Sequence, residues 1–147
     1  MIFMIKLDEL LVEKYIEEIK SIQKEITIGE AIELLRKEKE VLPVVDKNGK
    51  LIGCFKDIDL LKIVKKGSPL AGTIWKKEIS KEDFNKKVEE LMDTKPLTIL
   101  PNDTIEFALS VMNHNNVKSL IVVNNEGKFL GILRLRTIFD KIFEELK

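Results

Sequence analysis

Asp59 and Lys56 stand three residues apart where a strand-like run, Lys50–Phe55, gives way to a helical pattern beginning near Asp57. Arg134 and Thr137 hold the same two places 78 residues later, after a second run at Lys128–Leu133. A cation just before a helix opposes the macrodipole, so local stability does not select it. Two cations at matched places point to an anionic guest, because a helix N-terminus plus Lys or Arg makes a phosphate site. The plainer alternative is that both side chains extend into solvent. Asp59 also has two readings. An acid in a first helical turn favours the dipole and can cap it, and an ionised carboxylate can accept hydrogen bonds from paired hydroxyls.

No other residue set competes for chemistry. His114, the single histidine, has no cysteine beside it and reads as a surface residue near a helix end. Cys54, the single cysteine, lies in an apolar run and reads as a small buried hydrophobe in a reducing compartment. Metal-ligand spacing, a nucleophile elbow and a glycine-rich phosphate loop are all missing, so no enzyme is expected. Lys+Arg and Asp+Glu balance at 25 each, which argues against nucleic acid as a partner. No run approaches the ~20 apolar residues of a membrane span. A cytoplasmic protein of thermophile-like composition is the expectation.

The elements that must position these residues occur twice. Thr27-Ile28-Gly29-Glu30-Ala31-Ile32 recurs as Thr104-Ile105-Glu106-Phe107-Ala108-Leu109, Leu42-Pro43-Val44-Val45 as Leu120-Ile121-Val122-Val123, and Leu51-Ile52-Gly53 as Phe129-Leu130-Gly131. Such a repeat fixes architecture before any local reading. In the first copy, Thr27 and Glu30 form a capping box for a helix with Ile28, Ala31, Ile32 and Leu35 inward. Strands Val41–Asp46 and Lys50–Phe55 flank the Asn48-Gly49 turn. A second helix is expected over Asp57–Lys66, with Leu60, Leu61 and Val64 inward and Gly67-Ser68-Pro69 as its stop. In the second copy, strand Leu97–Leu100 precedes a helix capped by Thr104. Strands Ser119–Asn124 and Lys128–Leu133 follow around Glu126-Gly127. A last helix from Leu135 carries Phe139, Phe143 and Leu146.

The pattern predicts an α+β fold of two pseudo-symmetric β-α-β-β-α units, each a small mixed sheet packed against helices. The expected division is a helix within 1–19, a first unit at 20–67, a connector at 68–87 and a second unit at 88–147. Leu7, Leu10, Leu11, Tyr15 and Ile19 give the first segment its amphipathic spacing. Trp75 in the connector either stacks on a ligand ring or staples the connector to the core. The last helix has a wider apolar stripe than one core contact needs, which predicts a homodimer through the second helix of each unit.

The ordered set, in duplicate, resembles the cystathionine-β-synthase (CBS) domain, here as a tandem pair or Bateman module. The second copy carries the resemblance best, in Val88-Glu89-Glu90-Leu91-Met92-Asp93-Thr94 and in Pro96 through Thr104. The first copy matches from Thr27 to about Gly67, and before that only Ser21-Ile22 lines up, with Thr98-Ile99. Members bind adenosine-containing ligands in clefts between two copies and regulate an enzyme, channel or transporter. The family's ribose and phosphate motif is glycine, two apolar residues, threonine or serine, two variable residues, then aspartate. It reads Gly53-Cys54-Phe55-Lys56-Asp57-Ile58-Asp59 here, and Gly131-Ile132-Leu133-Arg134-Leu135-Arg136-Thr137 in the second copy. The first copy keeps the aspartate and loses the hydroxyl; the second loses both.

The resemblance implies a ribose at Asp59, phosphate at Lys56, Arg134 and Lys118, and a weaker contact at Thr137. It also implies backbone contacts to adenine near Ser21, Ile22, Thr98 and Ile99, and apolar walls from Leu42, Pro43, Leu120 and Ile121. AMP, ADP or ATP are favoured over S-adenosylmethionine, whose sulfonium is positive, and over NADH. No cofactor is required, and the regulated partner protein stays unidentified. The alternative is a ligand-free dimerisation or interaction scaffold, which the lost hydroxyls and aspartate favour.

Overall fold

The computed structural model describes residues 4–38, 41–66 and 77–147. Trp75 and the expected helix stop at Gly67-Ser68-Pro69 lie outside the described residues. The chain divides into two compact units, each built around one copy of the repeat.

The unit around the first copy comprises residues 20–47 and 52–95. Its sheet has the order β1 (Ile22–Gln23), β2 (Val41–Val45), β3 (Leu51–Lys56). β1 runs parallel to β2, with Ile22 opposite Val44. A parallel pair needs a crossover, and helix α1 (Ile28–Glu38) supplies it. Thr27 and Glu30 form the expected capping box: the Glu30 N–H donates to Thr27 Oγ1 at 3.1 Å, and Glu30 Oε1 accepts from the Thr27 N–H at 3.2 Å. Ile28 and Ala31 from α1, all of β2, Phe55, Ile63, Val88 and Leu91 are buried, with Ile32 and Leu35 packed partly against them.

The expected helix over Asp57–Lys66 is instead a 3-10 segment, Asp57–Ile63. Lys65–Lys66 is a short strand, β4, antiparallel to β5 (Lys77–Glu78). This segment buries Asp59 and Ile63 and turns Leu61 outward, against the expectation that Leu61 faces in.

The unit around the second copy comprises residues 1–19, 48–51 and 96–147. Its sheet has the order β6 (Thr98–Ile99), β7 (Ser119–Val123), β8 (Phe129–Arg134). β6 is parallel to β7 and β7 antiparallel to β8. Thr104 caps helix α2 (Ile105–Asn115) by accepting from the Phe107 N–H at 3.0 Å, and Asn116, at φ 53°, ends it. Helix α3 (Leu135–Leu146) buries Ile138 and Ile142.

Residues 4–19 do not form the expected amphipathic helix. Leu7–Glu9 and Val12–Tyr15 are separate 3-10 turns, and the chain is extended at Ile16. Backbone groups that a helix would pair internally are paired with the second copy instead. The Val12 N–H donates to Asp103 O at 2.9 Å, and the Ile105 N–H to Leu10 O at 2.8 Å. The matching bonds in the other unit run from the Val88 N–H to Ile26 O and from the Ile28 N–H to Lys86 O, both 2.8 Å. Val12–Ile19 is therefore the first copy's lead-in, equivalent to Val88–Thr94, and Val12, Tyr15, Val88 and Leu91 are all buried. Each lead-in sits in the unit of the other copy. The compact units thus differ from the linear division at 20–67 and 88–147.

Two glycines permit this exchange. A Cβ on Gly131 would lie 2.5 Å from Glu17 O, and one on Gly53 2.7 Å from Asp93 O. Gly29, in α1, has nothing nearer than 3.5 Å. Gly131→Ala should therefore destabilise by about 1–3 kcal/mol through overpacking, whereas Gly29→Ala should be neutral or stabilising by about 0.5–1 kcal/mol. Urea unfolding of the two variants against wild type checks the contrast.

Candidate functional site

In the first copy's unit, β3 delivers Lys56 in extended conformation to the start of the 3-10 segment. The Asp59 carboxylate folds back so that Oδ2 accepts from the Lys56 N–H at 2.9 Å. Its other oxygen meets Lys62 Nζ at 3.1 Å, and the Asp59 side chain is only 6% exposed. Lys62 Nζ also donates to Leu91 O at 2.8 Å, tying this acid to the lead-in. The side chain of Lys56 points to Asp93 Oδ2 at 3.8 Å. Asp93 is held by two backbone bonds, its N–H to Cys54 O at 2.8 Å and the Cys54 N–H to Asp93 O at 2.9 Å.

The second copy's unit repeats this plan with different side chains. The Glu17 N–H donates to Ile132 O and the Ile132 N–H to Glu17 O, both at 2.9 Å. From there the Glu17 carboxylate takes Arg134 Nη1 on Oε2 at 2.8 Å, with side chains 22% and 29% exposed. The Thr137 hydroxyl donates to Glu17 Oε1. Glu17 matches Asp93, Arg134 matches Lys56, and Thr137 matches Asp59. The Leu135 N–H at the head of α3 donates to Lys118 O at 2.9 Å, which places exposed Lys118 beside the same helix start.

Lys56 with Asp59, and Arg134 with Thr137 near Lys118, are thus the groups the fold brings together. Neither Lys56 nor Arg134 extends alone into solvent; each faces an acid from a lead-in. Ser21 and Thr98 are exposed at the sheet edges, while Ile22 and Ile99 beside them are buried. Leu42, Pro43, Leu120 and Ile121 are buried within the middle strands. Thr98 pairs with Ile121 across β6 and β7. Glu17, Asp93 and Lys62 are members of these clusters that spacing around Asp59 and Thr137 did not single out. Extending the repeat toward the N-terminus, where Glu17 and Asp93 fall 76 residues apart, is the signal that finds the two acids.

A family model for the CBS domain matches residues 12–66 and 88–144. The chain belongs to the CBS domain family, as a tandem CBS pair. The first match begins at Val12, in agreement with the lead-in seen in the fold. One uncharacterized protein of Methanocaldococcus jannaschii is 29% identical over 115 residues, covering 78% of this chain and 24% of that protein. A second from the same organism is 33% identical over 124 residues, covering 71% of this chain and 74% of the relative. The chain thus spans about a quarter of the first relative's length. Among solved structures, CBSX2 in complex with AMP superposes with a TM-score of 0.74 at 22% identity, covering 94% of this chain and 99% of that one. The CBS domain pair of protein MJ0100, in complex with 5-methylthioadenosine and S-adenosyl-L-methionine, gives 0.67 at 24% identity, covering 93% and 98%. The CBS domain of a bacterial CNNM/CorC family Mg2+ transporter in complex with ATP gives 0.70 at 20% identity, covering 93% and 89%. These likenesses establish the shared fold. Among the described residues no helix is long and apolar enough to cross a membrane, and no group of three or more His, Cys, Asp or Glu could hold a metal ion.

Cys54 shares β3 with this site, and burial pushes its thiol from 9.0 up to about 11. The folded chain therefore keeps the thiol proton over a range where the unfolded chain loses it. The resulting stability is full below pH 9 and is lost as pH rises toward about 11. Ellman's reagent at pH 8 should label Cys54 slowly in the folded protein and rapidly in urea. Urea midpoints should fall between pH 8 and pH 10, and a Cys54→Ala variant should lack that part of the fall.

Proposed function

We propose that this chain is a non-enzymatic, cytoplasmic sensor module that takes AMP, ADP or ATP at Asp59 and passes its occupancy to a partner protein. The observation that carries this reading is the Asp59 carboxylate, buried at the family's ribose position and oriented by the Lys56 N–H and Lys62. An ionised carboxylate has about four acceptor positions, so two remain for ribose hydroxyls. The Lys56–Asp93 pair, 3.8 Å long with side chains 39% and 36% exposed, is of the kind worth about 0–1 kcal/mol. A phosphate can therefore recruit Lys56 at little cost. The ligands named for the AMP, ATP and S-adenosylmethionine complexes of structural neighbours fit this adenosine class. The phosphate-binding cations favour nucleotides over S-adenosylmethionine and NADH. Occupancy acts by shifting populations between states of the module.

The scaffold reading has an observation of its own: Arg134 and Thr137 are already engaged by Glu17. Melting curves with AMP, ADP and ATP separate the two. Bound nucleotide should raise the midpoint by mass action, and Asp59→Ala should abolish that rise. Asp59→Ala also removes a cap, costing about 1 kcal/mol. Asp59→Asn can keep the bond to the Lys56 N–H, so it should melt near wild type yet lose most of the nucleotide response. Equal binding by Asp59→Ala would displace the ligand from this site. Absence of binding below the millimolar range would leave the scaffold.

The same module is proposed to dimerise. Phe139, Phe143 and Leu146 form an exposed stripe on α3, and Ile58 and Leu61 an exposed pair on Asp57–Ile63. Burying such side chains stabilises by about 1.5–3 kcal/mol each. Light scattering should give a dimer for wild type and a monomer for Phe139→Glu/Phe143→Glu; a wild-type monomer at high concentration contradicts it.

A further inference from the structure

Arg134 and Thr137 offer a guanidinium and a hydroxyl at the head of α3, the donor set of an anion site, and the anion they hold belongs to the chain itself. Glu17 reaches them from a lead-in whose backbone is fixed by two hydrogen bonds to Ile132 and by the close approach over Gly131. We propose that Glu17 is a tethered occupant of the second copy's anion position, so that an external phosphate binds there only by displacing the Glu17 side chain. The backbone anchoring leaves displacement to side-chain rotation alone, which makes it reversible without unfolding the lead-in.

The other unit shows why the occupant is peculiar to this copy. Asp93 is one methylene shorter than Glu17; its Oδ1 accepts from the Lys95 N–H at 2.9 Å, and its Oδ2 meets Lys56 only at 3.8 Å. Its neighbour across the site is Asp59, an acid that repels a second carboxylate, where Thr137 donates a hydrogen bond. The substitution of Thr137 for aspartate is therefore what admits Glu17. A bidentate grip by Arg and a hydroxyl on one carboxylate is the stronger class of charged contact.

The inference deepens the nucleotide reading and rests on it for the choice of probe. Titration calorimetry with AMP and with ATP measures sites per chain. Wild type should bind one nucleotide per chain, and Glu17→Ala two. The added site should vanish in Glu17→Ala/Arg134→Ala and persist in Glu17→Ala/Asp59→Ala. Glu17→Gln, which keeps the side chain's size without its charge, should also gain the second site and serves if Glu17→Ala does not fold by circular dichroism. Two sites in wild type, or no added site in a folded Glu17 variant, overturns the inference. If wild type binds none, the reading at Asp59 fails, and the tethered occupant then stands on whether a Glu17 variant gains one site or overturns by gaining none.

Discussion

The close antiparallel contact of each lead-in with a glycine-bearing strand is the constraint on which the rest depends. At Gly53 and Gly131 no Cβ could be accommodated against the carbonyls of Asp93 and Glu17. Because the strands admit that approach, Glu17 and Asp93 satisfy their backbone groups on Ile132 and Cys54. The same contact sets an acid beside the cation that ends each strand. Geometry that looks like local charge pairing is thus delivered by backbone packing.

Much of the fold was legible in the sequence because its signals are local. The capping box at Thr27 and Glu30, the cap at Thr104 and the turns at Asn48-Gly49 and Glu126-Gly127 act within a few residues; Gly49 and Gly127 adopt φ of 82° and 81°, as such turns require. The lead-in was not legible in this way. Leu7, Leu11, Tyr15 and Ile19 imitate a helical stripe, but the backbone partners that decide the segment lie near residues 103–105 and 132. Likewise the pattern over Asp57–Lys66 suits either an α-helix or the 3-10 turn that forms.

The candidate site shows the same division. Asp59 and Lys56 could be read from register alone, as could Arg134 and Thr137. What each side chain touches could not, since Glu17 is 117 residues from Arg134 and 120 from Thr137. The two readings of Asp59, cap or ribose acceptor, turn out to be compatible: one oxygen caps through the Lys56 N–H while further lone pairs remain. Of the two readings of the cations, free extension into solvent gives way to pairing. Each cation has an acidic partner, held loosely in one copy and tightly in the other. That difference, arising from one methylene and from aspartate against threonine, converts a symmetric repeat into two unequal anion positions.

A crystal structure of the chain grown with AMP tests this inequality most directly. The expected result is a ribose within hydrogen-bond distance of Asp59, with Lys56 turned toward the phosphate and Glu17 still joined to Arg134 and Thr137. AMP seated on Arg134 and Thr137 with Glu17 turned away, and Asp59 untouched, would contradict it.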